Sequence, residues 1–131
     1  EFSTRSAVAA AAVADGAPES FIAFNDAMFA NQPEENTTGL SDDEIAQLAL
    51  DAGISQDVVD TFTERAADQD WLTFSPFVAA LTAQSTADLE ALGSQMQTPT
   101  IVLDGALLDT ETYNWSIEGQ LAAAIEAAAA A

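Results

Sequence analysis

The chain has 131 residues, with 22 Asp or Glu against 2 Lys or Arg, and it contains neither His nor Cys. These absences exclude a Cys/His zinc site, a disulfide and a His-dependent catalytic triad within this sequence. The net charge of −20 repels phosphate groups, and no apolar run is long enough to span a bilayer. We therefore expect no nucleic-acid partner, no membrane insertion by this chain, no metal and no cofactor.

Two helices are expected in the first part of the chain. The Ala-rich run from Ser6 to Ala14 favours a helix that ends at Asp15-Gly16-Ala17-Pro18. A second helix is predicted to begin at Pro18, because proline suits the first helical position. Its apolar stripe is formed by Phe21, Phe24, Met28 and Phe29. The polar stretch 33–39 is predicted to be a loop.

A capping box marks the next helix. The Ser41 hydroxyl is expected to accept the backbone N–H of Glu44, whose carboxylate reaches back to Ser41. Gly53 should end this helix, and Ser55 should cap another. The inner face of that further helix is predicted to carry Val58, Val59, Phe62 and Ala66.

Two further helices are predicted after a break at 67–70. Ser75-Pro76 favours one helix start, and Ser85 is predicted to begin a separate short helix that Gly93 closes. Trp71, Phe74 and Phe77 are spaced three residues apart, which indicates a packed face. A peptide-binding groove is the alternative interpretation of these three aromatic residues.

The pattern changes to that of a hairpin at residue 98. Residues 98–103 are rich in β-branched side chains, Asp104-Gly105 is a strong hairpin signal, and 106–108 form the returning strand. A last amphipathic helix is predicted to start at 116–119. Because two strands cannot bury both faces of a sheet, we expect partner strands in a part of the protein upstream of Glu1, and the chain to be a fragment.

Charged residues give no catalytic or metal-binding pattern. Carboxylates concentrate at 34–35, 42–44, 68–70 and 109–111, but none of these stretches has the ligand spacing of a calcium loop. We interpret them as solvated or helix-capping groups. The cations Arg5 and Arg65 are expected to be surface ion-pair partners.

The dipeptide Thr98-Pro99 is the most informative short motif. Proline cannot donate to a strand ladder, so Pro99 should stand at the first residue of its strand or in a special turn. A cis Thr98-Pro99 bond would present the preceding backbone as an edge for an extended peptide. An ordinary trans bond at a strand start is the alternative.

The order of these motifs resembles a known family. Thr98-Pro99 entering the hairpin is similar to the second half of a thioredoxin fold, and the helices before it resemble the inserted helical subdomain of DsbA-like disulfide oxidoreductases. Residues 2–7, 24–34 and 39–53 also fit extracytoplasmic members of that family. The resemblance implies an α/β, thioredoxin-like (DsbA-like) fold. Region 1–96 would be the mainly helical insertion, and 97–131 the hairpin and final helix of the thioredoxin-like domain.

The resemblance also implies a function. The protein would catalyse thiol–disulfide exchange in unfolded or exported protein substrates outside the cytoplasm, with a membrane protein as redox partner. Gln97, Thr98 and Pro99 would then be substrate-binding residues in the cis-proline loop, although the family usually has Gly where Gln97 stands. The Cys-X-X-Cys motif would precede Glu1, so this cysteine-free chain alone cannot exchange a disulfide.

Two other interpretations remain open. In the first, the chain is a cysteine-free, thioredoxin-like binding or scaffold module that holds extended peptides. In the second, it is a helical interaction domain in which the hairpin has no functional part. The residues encoded upstream of Glu1 distinguish the oxidoreductase from the binding module.

Overall fold

The computed structural model describes residues 1–130 and divides the chain into two compact units, Glu1–Thr82 and Ala83 to the C-terminus. The boundary lies within the fifth helix. The elements, in chain order, are helix α1 (Phe2–Gly16), a 3-10 turn (Pro18–Ser20), α2 (Phe21–Ala30), α3 (Asp42–Asp51), α4 (Gln56–Thr63), α5 (Ser75–Ala91), strands β1 (Val102–Leu103) and β2 (Ala106–Leu107), and α6 (Gln120–Ala129).

The first unit is built around α1. Small side chains on this helix allow α2, α3 and α4 to pack closely against it. At Gly16, an added Cβ would lie only 2.8 Å from Val58 Cγ2 of α4, so the absent side chain sets the distance between the two helices there. The core cluster contains Val8, Ala9, Ala12, Val13, Ala17, Phe24, Ile45, Ala49, Ile54, Val59, Phe62 and Val78.

The predicted capping box is confirmed. The Glu44 N–H donates to Ser41 Oγ at 3.3 Å, and the Ser41 N–H donates to Glu44 Oε2 at 2.8 Å. Ser55 stands at the N-cap position of α4 without a side-chain capping bond. Ala66 was expected on the inner face of α4, but it lies beyond the end of that helix and is exposed.

Two predicted helix starts are wrong. Ser85 begins no separate helix, because α5 continues to Ala91 and gives way at Gly93, whose φ is +79°. The final helix begins at Gln120 rather than within 116–119. Gly119 precedes it with φ +81°, a left-handed conformation that residues other than glycine adopt at a cost.

The hairpin is present but short. Val102 pairs with Leu107, and Leu103 pairs with Ala106, in an antiparallel register. Asp104 and Gly105 have φ values of +48° and +77°, as a type I′ hairpin turn requires. One further bond, from Leu108 N–H to the Ile101 carbonyl at 2.8 Å, extends the pairing.

The expected thioredoxin-like α/β fold is wrong for this chain. The structure is 56% helical, with six α-helices, and the described residues contain only a two-stranded antiparallel hairpin. Two strands of two residues cannot form the central sheet on which helices of a thioredoxin-like fold pack, and the helices of the first unit instead pack on one another. The predicted region boundary at 96/97 stays a prediction.

Candidate functional site

The loop that enters the hairpin carries the three residues predicted to bind substrate. Gln97, Thr98 and Pro99 are all exposed, and the Thr98-Pro99 peptide bond is cis. Thr100 Oγ1 donates to the Gln97 carbonyl at 2.6 Å, which closes the loop on itself. The structure therefore places all three predicted residues together at the surface of the second unit.

A groove of about 200 Å³ opens beside this loop. Its polar edge includes Ser94, Gln97 and Thr110, and its apolar walls come from the hairpin and the loop that follows it. The apolar lining residues are Pro99, Ile101, Leu107, Leu108 and Trp115. A mixed surface of this kind can contact both the backbone and the apolar side chains of a peptide.

A second, shallower groove of about 340 Å³ lies on the α5 side of the same loop. It is lined by Ser85, Asp88 and Leu89 together with loop residues that include Met96 and Thr98. Gln97 and Thr100 line both grooves, so the loop is accessible from two sides.

The hairpin beside the loop has an unpaired edge. Within residues 1–130, β1 pairs with β2 and with no other strand. Val102 and Leu107 are 42% and 37% exposed, although valine and leucine in a sheet usually face a core. An unpaired strand edge with apolar side chains is a surface to which an extended chain can add as a further strand.

The acidic residues that follow the hairpin have a structural role. Asp109 accepts hydrogen bonds from the Glu111 N–H at 3.0 Å, the Thr112 N–H at 3.3 Å and Thr112 Oγ1 at 2.5 Å. These bonds, above all the one from the Thr112 hydroxyl, lower the pKa of Asp109. Among the described residues, no group of acidic side chains is arranged to hold a metal ion.

The remaining candidates are dispersed over the first unit. Asp42 pairs with Arg5 and Glu44 caps α3, which confirms the interpretation of the 42–44 cluster. Phe74 packs against the core, whereas Trp71 and Phe77 are exposed, so the expectation of one packed aromatic face holds only for Phe74. No helix in the described part of the chain is long and apolar enough to cross a membrane.

Sequence reasoning did not identify Ile101, Leu107 and Trp115 as parts of the site. A hairpin pattern predicts strands but does not show which side chains stay exposed beside the loop. No protein-family model, curated protein or solved structure matches this chain.

Proposed function

We propose that this chain is the peptide-contacting part of an extracytoplasmic protein disulfide oxidoreductase that acts on exported, unfolded proteins. Its catalytic Cys-X-X-Cys would lie upstream of Glu1, and a membrane protein would be its redox partner. One observation carries the proposal: Gln97, Thr98 and Pro99 are exposed, and Gln97 and Pro99 line a groove that also includes residues of a hairpin with an unpaired edge. The order of the motifs along the sequence, from 2–7 through 24–34 and 39–53 to the Thr98-Pro99 hairpin, supports the same interpretation.

The chemistry divides between the two parts of such a protein. Two substrate thiols become a disulfide and release two electrons and two protons, while the disulfide of the Cys-X-X-Cys is reduced to two thiols. The described residues supply no sulfur nucleophile, since the chain has no cysteine. Their contribution would be to hold the substrate backbone extended along β1 and its side chains in the groove.

The test uses the longer polypeptide that includes the residues encoded ahead of Glu1. We expect a Cys-X-X-Cys there, and catalysed oxidation of a reduced, unfolded protein that is lost when either cysteine is changed to serine. In the same polypeptide, Trp115→Ala should raise KM for the substrate protein. Trp71→Ala is the matched control, because Trp71 is 51% exposed against 46% for Trp115 and lies outside the groove. An upstream segment without a cysteine pair would refute the proposal.

A second candidate function is a cysteine-free module that holds extended peptides. It is favoured by the mixed polar and apolar lining of the groove and by the unpaired edge of the hairpin, which can contact an extended peptide without a thiol. The Trp71→Phe variant leaves Trp115 as the sole tryptophan, and its fluorescence then reports on the groove. Saturable quenching or enhancement by extended apolar peptides, together with an intact upstream region that lacks cysteine, would establish this function over the first.

A further inference from the structure

A separate apolar groove lies between α1 and α2 in the first unit. It has a volume of about 280 Å³ and is open on one side. Its apolar lining includes Phe2, Ala7, Ala10, Met28 and Phe29. The volume is just below the range of small-molecule sites, about 300–1,000 Å³. An open groove between helices suits side chains that project from another helix.

Two large apolar side chains are exposed on α2, of which Phe29 lines the groove and Ile22 does not. Phe29 is 68% exposed, and Ile22, two turns earlier on α2, is 66% exposed. These are the highest exposures among the large apolar side chains that the structure describes. Because Ile22 and Phe29 are seven residues apart, they lie on the same face of α2. This face therefore offers one apolar contact in the groove and a second one two turns away along α2.

The charges around this face determine which partner it fits. Asp26 is exposed and lies one turn from both Ile22 and Phe29, and the exposed Glu19 lies about one turn before Ile22. None of the residues that line the groove is a cation. Arg5 is on α1, but its guanidinium contacts the Thr38 and Leu40 carbonyls and the Asp42 carboxylate.

This charge pattern disfavours a second copy of the chain as the occupant. Each copy carries a net charge of −20, and pairing two α2 faces would bring Asp26 close to the same residue of the other copy. A helix with an apolar face and flanking Lys or Arg side chains would instead gain attraction from Asp26 and from the overall field. We propose that the α1–α2 groove binds a cationic amphipathic helix, with its apolar side chains in the groove and its basic ones beside Asp26.

The experiment measures binding of a fluorescein-labelled 18-residue amphipathic peptide, with leucines on one face and lysines on the other, to the full chain by fluorescence anisotropy. We expect saturable binding that weakens as salt rises, and no binding by the analogue with glutamate in place of lysine. Phe29→Ser should weaken binding about tenfold or more, because it removes an aromatic contact. Asp26→Asn should weaken it less and flatten the salt dependence.

Phe77→Ser is the matched control, since Phe77 is 58% exposed and lies outside the groove. It should leave binding unchanged. Equal binding of the glutamate analogue, equal losses from Phe29→Ser and Phe77→Ser, or no saturable binding would overturn the proposal. Sedimentation of the chain alone tests the second copy as occupant. A dimer that Phe29→Ser dissociates would also overturn the proposal.

Discussion

Arg5 Nε lies 2.8 Å from Asp42 Oδ1 and so connects α1 to the first turn of α3. The Nε–H is not aligned with the carboxylate for a hydrogen bond, which makes this contact an ion pair. The same guanidinium donates through Nη2 to the carbonyls of Leu40 and Thr38, just before α3. Arg5 thus connects α1 to residues 38–42 through two hydrogen bonds and one ion pair.

Arg5→Ala is expected to cost more stability than Asp42→Asn. Removing Arg5 eliminates charge-assisted hydrogen bonds to two carbonyls as well as the ion pair, with an expected loss of about 1–2 kcal/mol in the free energy of unfolding. The Asp42 side chain is 62% exposed, so its loss should cost less than about 1 kcal/mol. Urea unfolding measures both values.

Arg65→Ala is the control for the loss of a cation. Arg65 is exposed and has no hydrogen bond or ion pair within residues 1–130, so its removal should change stability by less than about 0.5 kcal/mol. If Asp42→Asn costs as much as Arg5→Ala, the carbonyl contacts contribute nothing and the interpretation is wrong.

Glu44 is expected to make stability depend on pH. Its pKa is lowered, first by the bond from the Ser41 backbone N–H and then by the bond from the Ser41 hydroxyl. The pKa of Glu44 is lower in the folded protein than in the unfolded chain. The ionised Glu44 therefore stabilises the folded protein fully at a pH above the unfolded pKa, and this stabilisation is lost as the pH falls through the folded pKa. The pKa of Asp109 is also lowered, so its contribution to stability is likewise lost as the pH falls.

An NMR titration of the Glu44 carboxyl carbon checks this prediction. Ser41→Ala should raise the pKa of Glu44 only part of the way to its ordinary value, because the backbone N–H donor is retained. The Glu44→Gln variant should lose less stability than the wild type between neutral and acidic pH. A pKa of Glu44 that returns fully to its ordinary value in Ser41→Ala would show that the backbone bond has no effect.

Structural features that depend on neighbouring residues are predicted well from the sequence, whereas the burial of side chains is not. The capping box depends only on residues within one turn, and the Asp104-Gly105 turn depends on the conformational range of two residues. In contrast, the apolar stripe of α2 correctly contains the buried Phe24 but also Phe29, which is 68% exposed. Helical spacing shows which side chains share a face, but it does not show what covers that face.

The strand prediction failed for a related reason. The β-branched run 98–103 favours extended backbone, but a strand also requires a partner with which to pair, and the ladder includes only 102–103 and 106–107. The Ser85 prediction failed because serine is tolerated inside a helix that neighbouring residues continue. Gln97, Thr98 and Pro99 are exposed, and their role as substrate-binding residues stays a prediction, whereas the position of Trp115 beside them required the three-dimensional path of the chain.

Gly39→Ala should be more destabilising than Gly53→Ala. Both glycines have left-handed backbone, with φ of +69° and +84°, which costs an alanine about 1–2 kcal/mol. A Cβ at Gly39 would also lie 2.5 Å from Phe2 Cβ and 2.8 Å from Phe2 Cδ2, whereas Gly53 has nothing within 4 Å of that position. Both variants share the cost of placing alanine in left-handed backbone. The difference between their free energies of unfolding therefore measures the contact with Phe2.

We expect this difference to be about 1–3 kcal/mol, the usual cost of overpacking. Urea unfolding of Gly39→Ala and Gly53→Ala measures it. Measured against Phe2→Gly alone, the double variant Phe2→Gly/Gly39→Ala should bring the cost of the Gly39 substitution close to that of Gly53→Ala, because it also removes the Phe2 Cβ. Equal costs for the two single variants would mean that Phe2 moves aside freely.

Backbone amides of the hairpin should exchange with solvent much faster than those in the middle of α1. In the second unit, Ala124 is the single buried apolar residue that the structure describes, whereas α1 alone contributes Val8, Ala9, Ala12 and Val13 to a continuous core. Few buried contacts and a two-residue ladder leave little free energy to oppose local opening. We expect protection factors for 102–107 to be lower than those for 8–13 by about 100-fold or more.

Hydrogen–deuterium exchange followed by NMR resolves these amides individually. A bound extended peptide that pairs with β1 should raise protection at Val102 and Leu103 and leave α1 unchanged, because ligand binding stabilises the state to which it binds. A peptide bound only in the α1–α2 groove should leave the hairpin unprotected, so the same measurement distinguishes the two proposed sites. Equal protection factors for the hairpin and α1 without any ligand would contradict the prediction. The reason is that Ala124 alone buries too little apolar surface to stabilise the hairpin against local opening.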